Sequence, residues 1–123
     1  MSYDNNNIFA KILRKEIPCN KIYEDEFVLS FYDVNPQKKV HALVIPKWKY
    51  INLDDFCTKA SNDEIVGLIK GINIVANKLG ISSDIGKGYR ALANISEYGG
   101  QEVPHLHFHL FGGENIGKMV QWI

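Results

Sequence analysis

Gly99-Gly-Gln-Glu-Val-Pro-His105-Leu-His107-Phe-His109-Leu-Phe-Gly-Gly113 holds three of the chain's four histidines, at alternate positions. Alternation of this kind predicts a β-strand, in which successive side chains point to opposite faces. His105, His107 and His109 then share one face, while Leu106, Phe108 and Leu110 share the other and turn toward the core. The outcome is a row of imidazoles on a rigid element, their α-carbons roughly 6.5–7 Å apart. Glycines at both ends allow a ligand to approach the backbone closely.

Upstream, Ile8, Phe9, Ile12 and Leu13 recur at helical spacing behind the Asn5-Asn6-Asn7 run, and Pro18 stops any continuation, so a short amphipathic helix is expected. Residues 21–24 and 28–32, separated by Asp25-Glu26, read as a hairpin. Asp33-Val-Asn-Pro36-Gln is turn chemistry, and the apolar run 41–45 that Pro46 ends reads as a central, buried strand. Residues 48–58 are irregular, with room for one helical turn. Ser61-x-x-Glu64 then matches a capping box ahead of Ile65, Leu68, Ile69, Ile72, Val75, Ala76 and Leu79, a long helix ending near Gly80. Gly67 and Gly71 lie on one face of it and favour close packing. Residues 89–95 read as a fourth strand, and 96–100 as a loop into the histidine strand. Five strands with short links and two principal helices predict an α+β architecture built on an antiparallel sheet.

A length of 123 residues fits a single domain, 1–123, which buries about two-thirds of the surface its unfolded chain exposes. Fourteen basic and fourteen acidic residues cancel and are interspersed, so no broad basic face invites a nucleic-acid polymer. Cys19 and Cys57 are too few for a disulfide framework and form no Cys-x-x-Cys pair, which points to a reducing, cytoplasmic setting. The N-terminus is polar, and no apolar run approaches the roughly 20 residues of a membrane span, so neither export nor membrane insertion is expected.

The histidine row admits three readings: a metal site, a nucleophile with acid/base neighbours, or a structural polar face. Zinc holds its nitrogens about 2.0–2.1 Å away, whereas His105 and His109 lie about 13 Å apart along an extended strand. One ion cannot easily take all three. Two of them with His41 could still bind zinc, but no nearby cysteine or carboxylate completes a tetrahedral set, so no metal and no cofactor is expected.

The run Gln101 to Phe111 resembles the signature of the histidine-triad (HIT) nucleotide-binding family, His-φ-His-φ-His-φ-φ with φ apolar. Residues 7–12 through Glu16-Ile17-Pro18, residues 33–37, residues 41–47 and Gly88-Tyr89-Arg90 through Asn94 resemble the family's other segments in the same order. Gly112-Gly113 after the triad is similar to the Hint-type branch, the purine nucleoside phosphoramidases, rather than to the fragile-histidine-triad branch. The resemblance implies the HIT fold, with two five-stranded sheets joined edge to edge in a homodimer through the long helix and the fourth strand.

It also implies a mechanism. His107 attacks the α-phosphorus of a purine nucleotide or nucleoside phosphoramidate and forms a nucleotidyl-histidine that water hydrolyses; an imidazole that is neutral near pH 7 suits the task. His109 protonates the leaving group or contacts the phosphate, and His105 and His41 form hydrogen bonds behind the nucleophile. The backbone at Gly100, Gln101 and Glu102 binds phosphate oxygens. Asp33, with Val34 beside it, meets the ribose; Asn94 contacts the nucleotide; Ile8, Phe9 and Phe31, with Ile12 and Ile17, wall a purine slot. Without the resemblance, Asp33 reads as a turn cap, Gly99-Gly100 as a plain turn, and His41 and the apolar walls as core. Glu102 stands where Hint-type proteins often have a serine that reaches the leaving group, and the tail from Glu114 to Ile123 differs from the family's. Dinucleoside polyphosphate hydrolysis and a nucleotide- or partner-binding module are the alternative functions. Met119, Val120, Trp122 and Ile123 are apolar enough to be expected to pack on the body, with Trp122 as anchor.

Overall fold

The computed structural model describes residues 2–120. Its centre is β3 (Val40–Pro46), the strand whose apolar run demanded burial. To one side lie β2 (Val28–Tyr32) and then β1 (Lys21–Glu24); to the other lie β5 (Phe108–Gly112) and then β4 (Arg90–Leu92). Every pairing is antiparallel. The order β1-β2-β3-β5-β4 is the five-stranded α+β sheet expected from the strand pattern.

Strand periodicity splits the core into two layers. Val28, Ala42, Val44 and Leu110 pack against Leu68, Ile72 and Val75 of α3 (Asn62–Lys78) and Phe56 of α2 (Leu53–Lys59). Leu29, Phe31, Leu43 and Ile45 on the opposite face pack against Phe9 and Ile12 of α1 (Ile8–Leu13). Asn7 caps α1 by accepting from Ala10 N–H, and Ser61 and Glu64 form the expected capping box on α3. Gly71 brings α3 onto β2 because any β-carbon there would lie 2.9 Å from Val28 Cγ2.

Four expectations change. The histidine strand begins only at Phe108, since Pro104 has no N–H to donate and His105 N–H turns back to the Val103 carbonyl. The fourth strand, expected over 89–95, shrinks to Arg90–Leu92: its ladder runs Arg90–Phe111 to Leu92–His109 and stops where the partner bends away. Residues 96–99 form a helical turn, α4 (Ser96–Gly99), in place of a loop, and Gly100 closes it with a left-handed φ of 77°. Residues 53–59 likewise form a complete short helix, capped by Asn52.

Arg90 donates to the Gly117 and Lys118 carbonyls and ties down the start of the tail. Met119 and Val120 are exposed and do not pack on the body of this chain; among the described residues the last hydrogen bond that holds the tail is the one to the Lys118 carbonyl. Trp122 and Ile123, the expected anchor and its neighbour, lie outside the described residues.

Candidate active site

The site forms on the α1 face of the sheet, at the junction of β3 and β5. His41 is two residues from Leu43 along β3, and Leu43 pairs with His109 on β5, so strand parity brings both histidines to this face. His105 and His107 precede β5 and are carried there by the bend at Pro104. The row is not an open imidazole face. His105 is fully buried and His41 and His107 nearly so: Phe9 of α1 packs edge-on to His107 with ring centroids 4.9 Å apart, while His41 lies against Phe111 and the turn that carries Asp33 and Gln37. A solvated polar strand is thereby replaced by a covered one.

Hydrogen bonds assign the proton on each neutral ring. His107 Nδ1–H donates to the His105 carbonyl at 2.7 Å, which leaves the Nε2 lone pair free. Gln37 N–H donates to His41 Nδ1 at 3.1 Å, so the His41 proton sits on Nε2 and is donated to His109 Nδ1 at 2.9 Å. His109 then carries its own proton on Nε2. Reversing any tautomer leaves a buried polar atom unpaired at about 1–3 kcal/mol, a preference of roughly 5–150-fold. The resemblance placed His41 behind His107; its ring instead meets His109, because the bend that displaces His107 leaves His109 as the histidine in register beside β3.

Burial is the main cause of the low basicity of the cluster. It pushes His105 down to about 4, with His107 nearby adding to the shift and the Pro46 carbonyl opposing it. It pushes His109 down to about 4, helped by His107 and His41 and opposed by Asp33. It lowers His107 against the His105 carbonyl, Asp33 and Glu102, and lowers His41 against Asp33. All four imidazoles are neutral near pH 7.

His107 and His109 face a cavity of about 340 Å³. Ile8, Phe9, Ile12, Ile17 and Phe31 form its apolar wall, and Asp33, Val34, Asn94, Gly100 and Glu102 complete the lining. Asp33 caps the turn, as its place before Pro36 suggested: one carboxylate oxygen accepts from Asn35 N–H, and the other lies 3.4 Å from His41 Nε2. Gln101 does not line the cavity. Its amide accepts from Ser96 N–H and donates to the Ile51 and Val103 carbonyls, pinning the loop that carries Asn94, Gly100 and Glu102. The Gly100 and Gln101 N–H groups close α4 through the Glu97 and Ser96 carbonyls, so they are not the free phosphate donors expected of a glycine turn. Among the described residues the Glu102 N–H has no partner, and it is the one donor of the three left for an anion.

Several lining residues carried no site signal in the sequence: Pro18 read only as the stop after α1, Cys19 had no assigned element, Tyr32 and Leu43 read only as strand positions, and Val103 had no role of its own within the triad run. Gln37 acts through its backbone, which side-chain chemistry cannot reveal. Asp33, His41 and His109 offer donor atoms within 4.8 Å of one another, a possible cation triangle. It is poorly suited to a cation, because Gln37 N–H occupies His41 Nδ1 and the proton on Nε2 removes the lone pair that would face the ion.

The HIT domain profile matches residues 14–116, which takes in the sheet and every histidine of the cluster. The chain belongs to the HIT domain family. This HIT domain is 49% identical over 119 residues to an uncharacterised 13.2 kDa HIT-like protein of Azospirillum brasilense, covering 97% of this chain and 95% of that one. It is 39% identical over 114 residues to the purine nucleoside phosphoramidase of Escherichia coli K12, covering 92% of each. A solved HIT family hydrolase from Clostridium thermocellum superposes with a TM-score of 0.84 at 39% identity, covering 96% of this chain and 99% of that one.

Proposed function

We propose that this HIT domain hydrolyses purine nucleoside phosphoramidates or related adenylates through a nucleotidyl-histidine on His107. The observation that carries the reading is the His107 ring: its Nδ1–H is tied back to the His105 carbonyl, and its Nε2 lone pair faces a cavity that also holds His109. In the first step Nε2 attacks the α-phosphorus, the phosphorus–nitrogen bond to the leaving group breaks, and the departing amine takes a proton. In the second, water attacks phosphorus and gives a proton back to the group that protonated the amine, the bond to Nε2 breaks, and the nucleoside monophosphate leaves with His107 neutral again.

His109 Nε2–H and Glu102 N–H supply donors for the non-bridging oxygens. A bound phosphate also places negative charge beside His109, which raises its pKa from the low value of the empty cavity and fits it to protonate the amine. The apolar wall suits a purine, Asp33 accepts from ribose hydroxyls, and the phosphoramidase relative shares the reaction class. Two copies pair through the outer edge of β4 and the exposed Val66 and Ile69 of α3, apolar surface that a single chain leaves uncovered; light scattering at micromolar concentration should read a dimer.

The test of the reaction is rapid quenching during turnover of labelled adenosine and guanosine phosphoramidates, acyl-adenylates and a diadenosine polyphosphate. Label should be trapped on the wild-type protein and not on His107→Ala, and a chiral phosphorus should emerge with net retention. Inversion, or label on the alanine variant, removes His107 as nucleophile. Faster turnover of the dinucleotide would move the substrate class while leaving the site unchanged.

A further inference from the structure

Residues 2–7 precede the segment that the family profile matches, and their polar composition marks them as a plain lead-in to α1. Tyr3 departs from that description. It is half-buried, it packs edge-on to His105 with ring centroids 5.7 Å apart, and its hydroxyl donates to His105 Nδ1 at 2.6 Å across 102 positions of sequence. The opposite nitrogen, Nε2–H, donates to the Pro46 carbonyl at 3.0 Å. The fully buried imidazole is therefore held at both ends, by β3 and by the N-terminal segment.

What the ring holds is its own main chain. The His105 carbonyl takes the His107 Nδ1–H, and the sheet ladder does not reach it, since β5 begins at Phe108. Between Val103 and His107 the backbone ties are His105 N–H to the Val103 carbonyl and Leu106 N–H to the Tyr50 carbonyl, both 2.8 Å. Leu106 N–H belongs to the same 105–106 peptide as the accepting oxygen, so its bond to Tyr50 holds the far end of that peptide. The near end, at the His105 α-carbon, is held by the ring through its two fixed nitrogens.

We propose that Tyr3 is a positioning residue for the nucleophile: by clamping His105 it aims the 105 carbonyl and so keeps His107 in the tautomer with Nε2 unprotonated. This rests on His107 as the reacting group. Removing the hydroxyl leaves Nδ1 of a buried ring unpaired, and the ring relaxes by tilting, since Phe9 contacts it only edge-on with centroids 6.3 Å apart.

The test is Tyr3→Phe, which keeps the aromatic ring in its packing. Turnover of adenosine 5′-phosphoramidate should show kcat reduced about tenfold with KM changed less than twofold, because nucleotide contacts are untouched and only the poise of Nε2 is lost. On uniformly 15N-labelled protein below the unfolding temperature, the His107 ring nitrogens should shift toward the Nε2–H tautomer relative to wild type. If the His107 tautomer is unchanged, Tyr3 is packing alone and the proposal falls, whatever happens to kcat. A rise in KM with kcat preserved would also overturn it. Tyr3→Leu, read by the same nitrogen shifts, decides between the two outcomes if the phenylalanine variant is unstable. The tautomer measurement needs no substrate, so it separates the failure of this proposal from the failure of the reaction assigned to His107, which His107→Ala decides by itself.

Discussion

His109 and His107 are two residues apart, yet they are held by different physics. His109 lies inside the ladder, opposite Leu43 on one side and Leu92 on the other, and its ring stacks on Phe111 within 3° of parallel. His107 lies before the ladder begins, and its ring is aimed by one bond to a carbonyl. The contrast teaches where a fold places precision. A donor meant to sit still beside a phosphate can ride on a strand, whose position is shared among many bonds. A nucleophile must present a particular lone pair at a particular angle, and the strand direction alone does not provide it; a bend with a few discrete bonds does.

The comparison breaks most visibly at His107. His107→Ala should lower kcat by roughly 10⁴-fold or more, as removal of a covalent nucleophile does, with the thermal unfolding midpoint little changed, because the sheet ladder does not include this residue. A midpoint lowered as far as that of a core variant such as Leu110→Ala would show that the bend is part of the structural core. His109→Ala comes next. With a poorly departing alkylamine the loss should approach roughly 10²–10⁴-fold, the range for a general acid, and it should shrink as the leaving group becomes able to depart without a proton. An equal loss across a leaving-group series would reassign His109 to phosphate binding only.

The smallest effect sharpens the comparison through pH. Burial holds His105 and His109 down to about 4 and lowers His41 and His107, while the unfolded chain titrates its histidines near 6.5. Above pH 6.5 both states are neutral at these rings and stability does not change on their account. As pH falls from 6.5 toward 4 the unfolded state takes protons first, so stability should fall, and it should fall more steeply than one histidine allows. Urea unfolding at half-unit pH steps measures the slope. His105→Asn and His109→Asn should each flatten it over this window, and an unchanged slope in either variant would mean that its ring is not held neutral by the fold. By the same reasoning kcat/KM of the wild type should stay level from pH 8 to below 6.5 and decline only as His107 takes a proton.

Much of this molecule was legible in its sequence, because local rules carried most of the elements. The polar run before Ile8 and the Ser61–Glu64 box marked where α1 and α3 begin. The apolar run through Ala42 and Ile45 announced a central strand, and the alternation of Leu106, Phe108 and Leu110 announced the buried face opposite the histidines. The histidines of the triad came from the same stretch, while His41, Asp33, Asn94 and the apolar wall were supplied by the resemblance of other segments. What the residue pattern could not carry was the bend. Alternation is a period-two signal that persists through His105 and His107 even though Pro104 and the His105 turn take them out of the ladder.

By itself, then, the sequence determined which side chains of the triad segment oppose one another, which helices cap and where, and that an antiparallel sheet must bury two faces, since each of these depends on neighbours a few residues apart. Only the tertiary structure decided which histidine touches which. His41 meets His109 because β3 and β5 are adjacent in register; Gln37 assigns the His41 proton through a backbone N–H that has no side-chain signature; Gly100 and Gln101 give their N–H groups to α4 and not to an anion; and Tyr3 reaches His105 across 102 positions. Tautomers and hydrogen-bond partners are properties of distance and direction between remote groups, and one-dimensional spacing does not contain them.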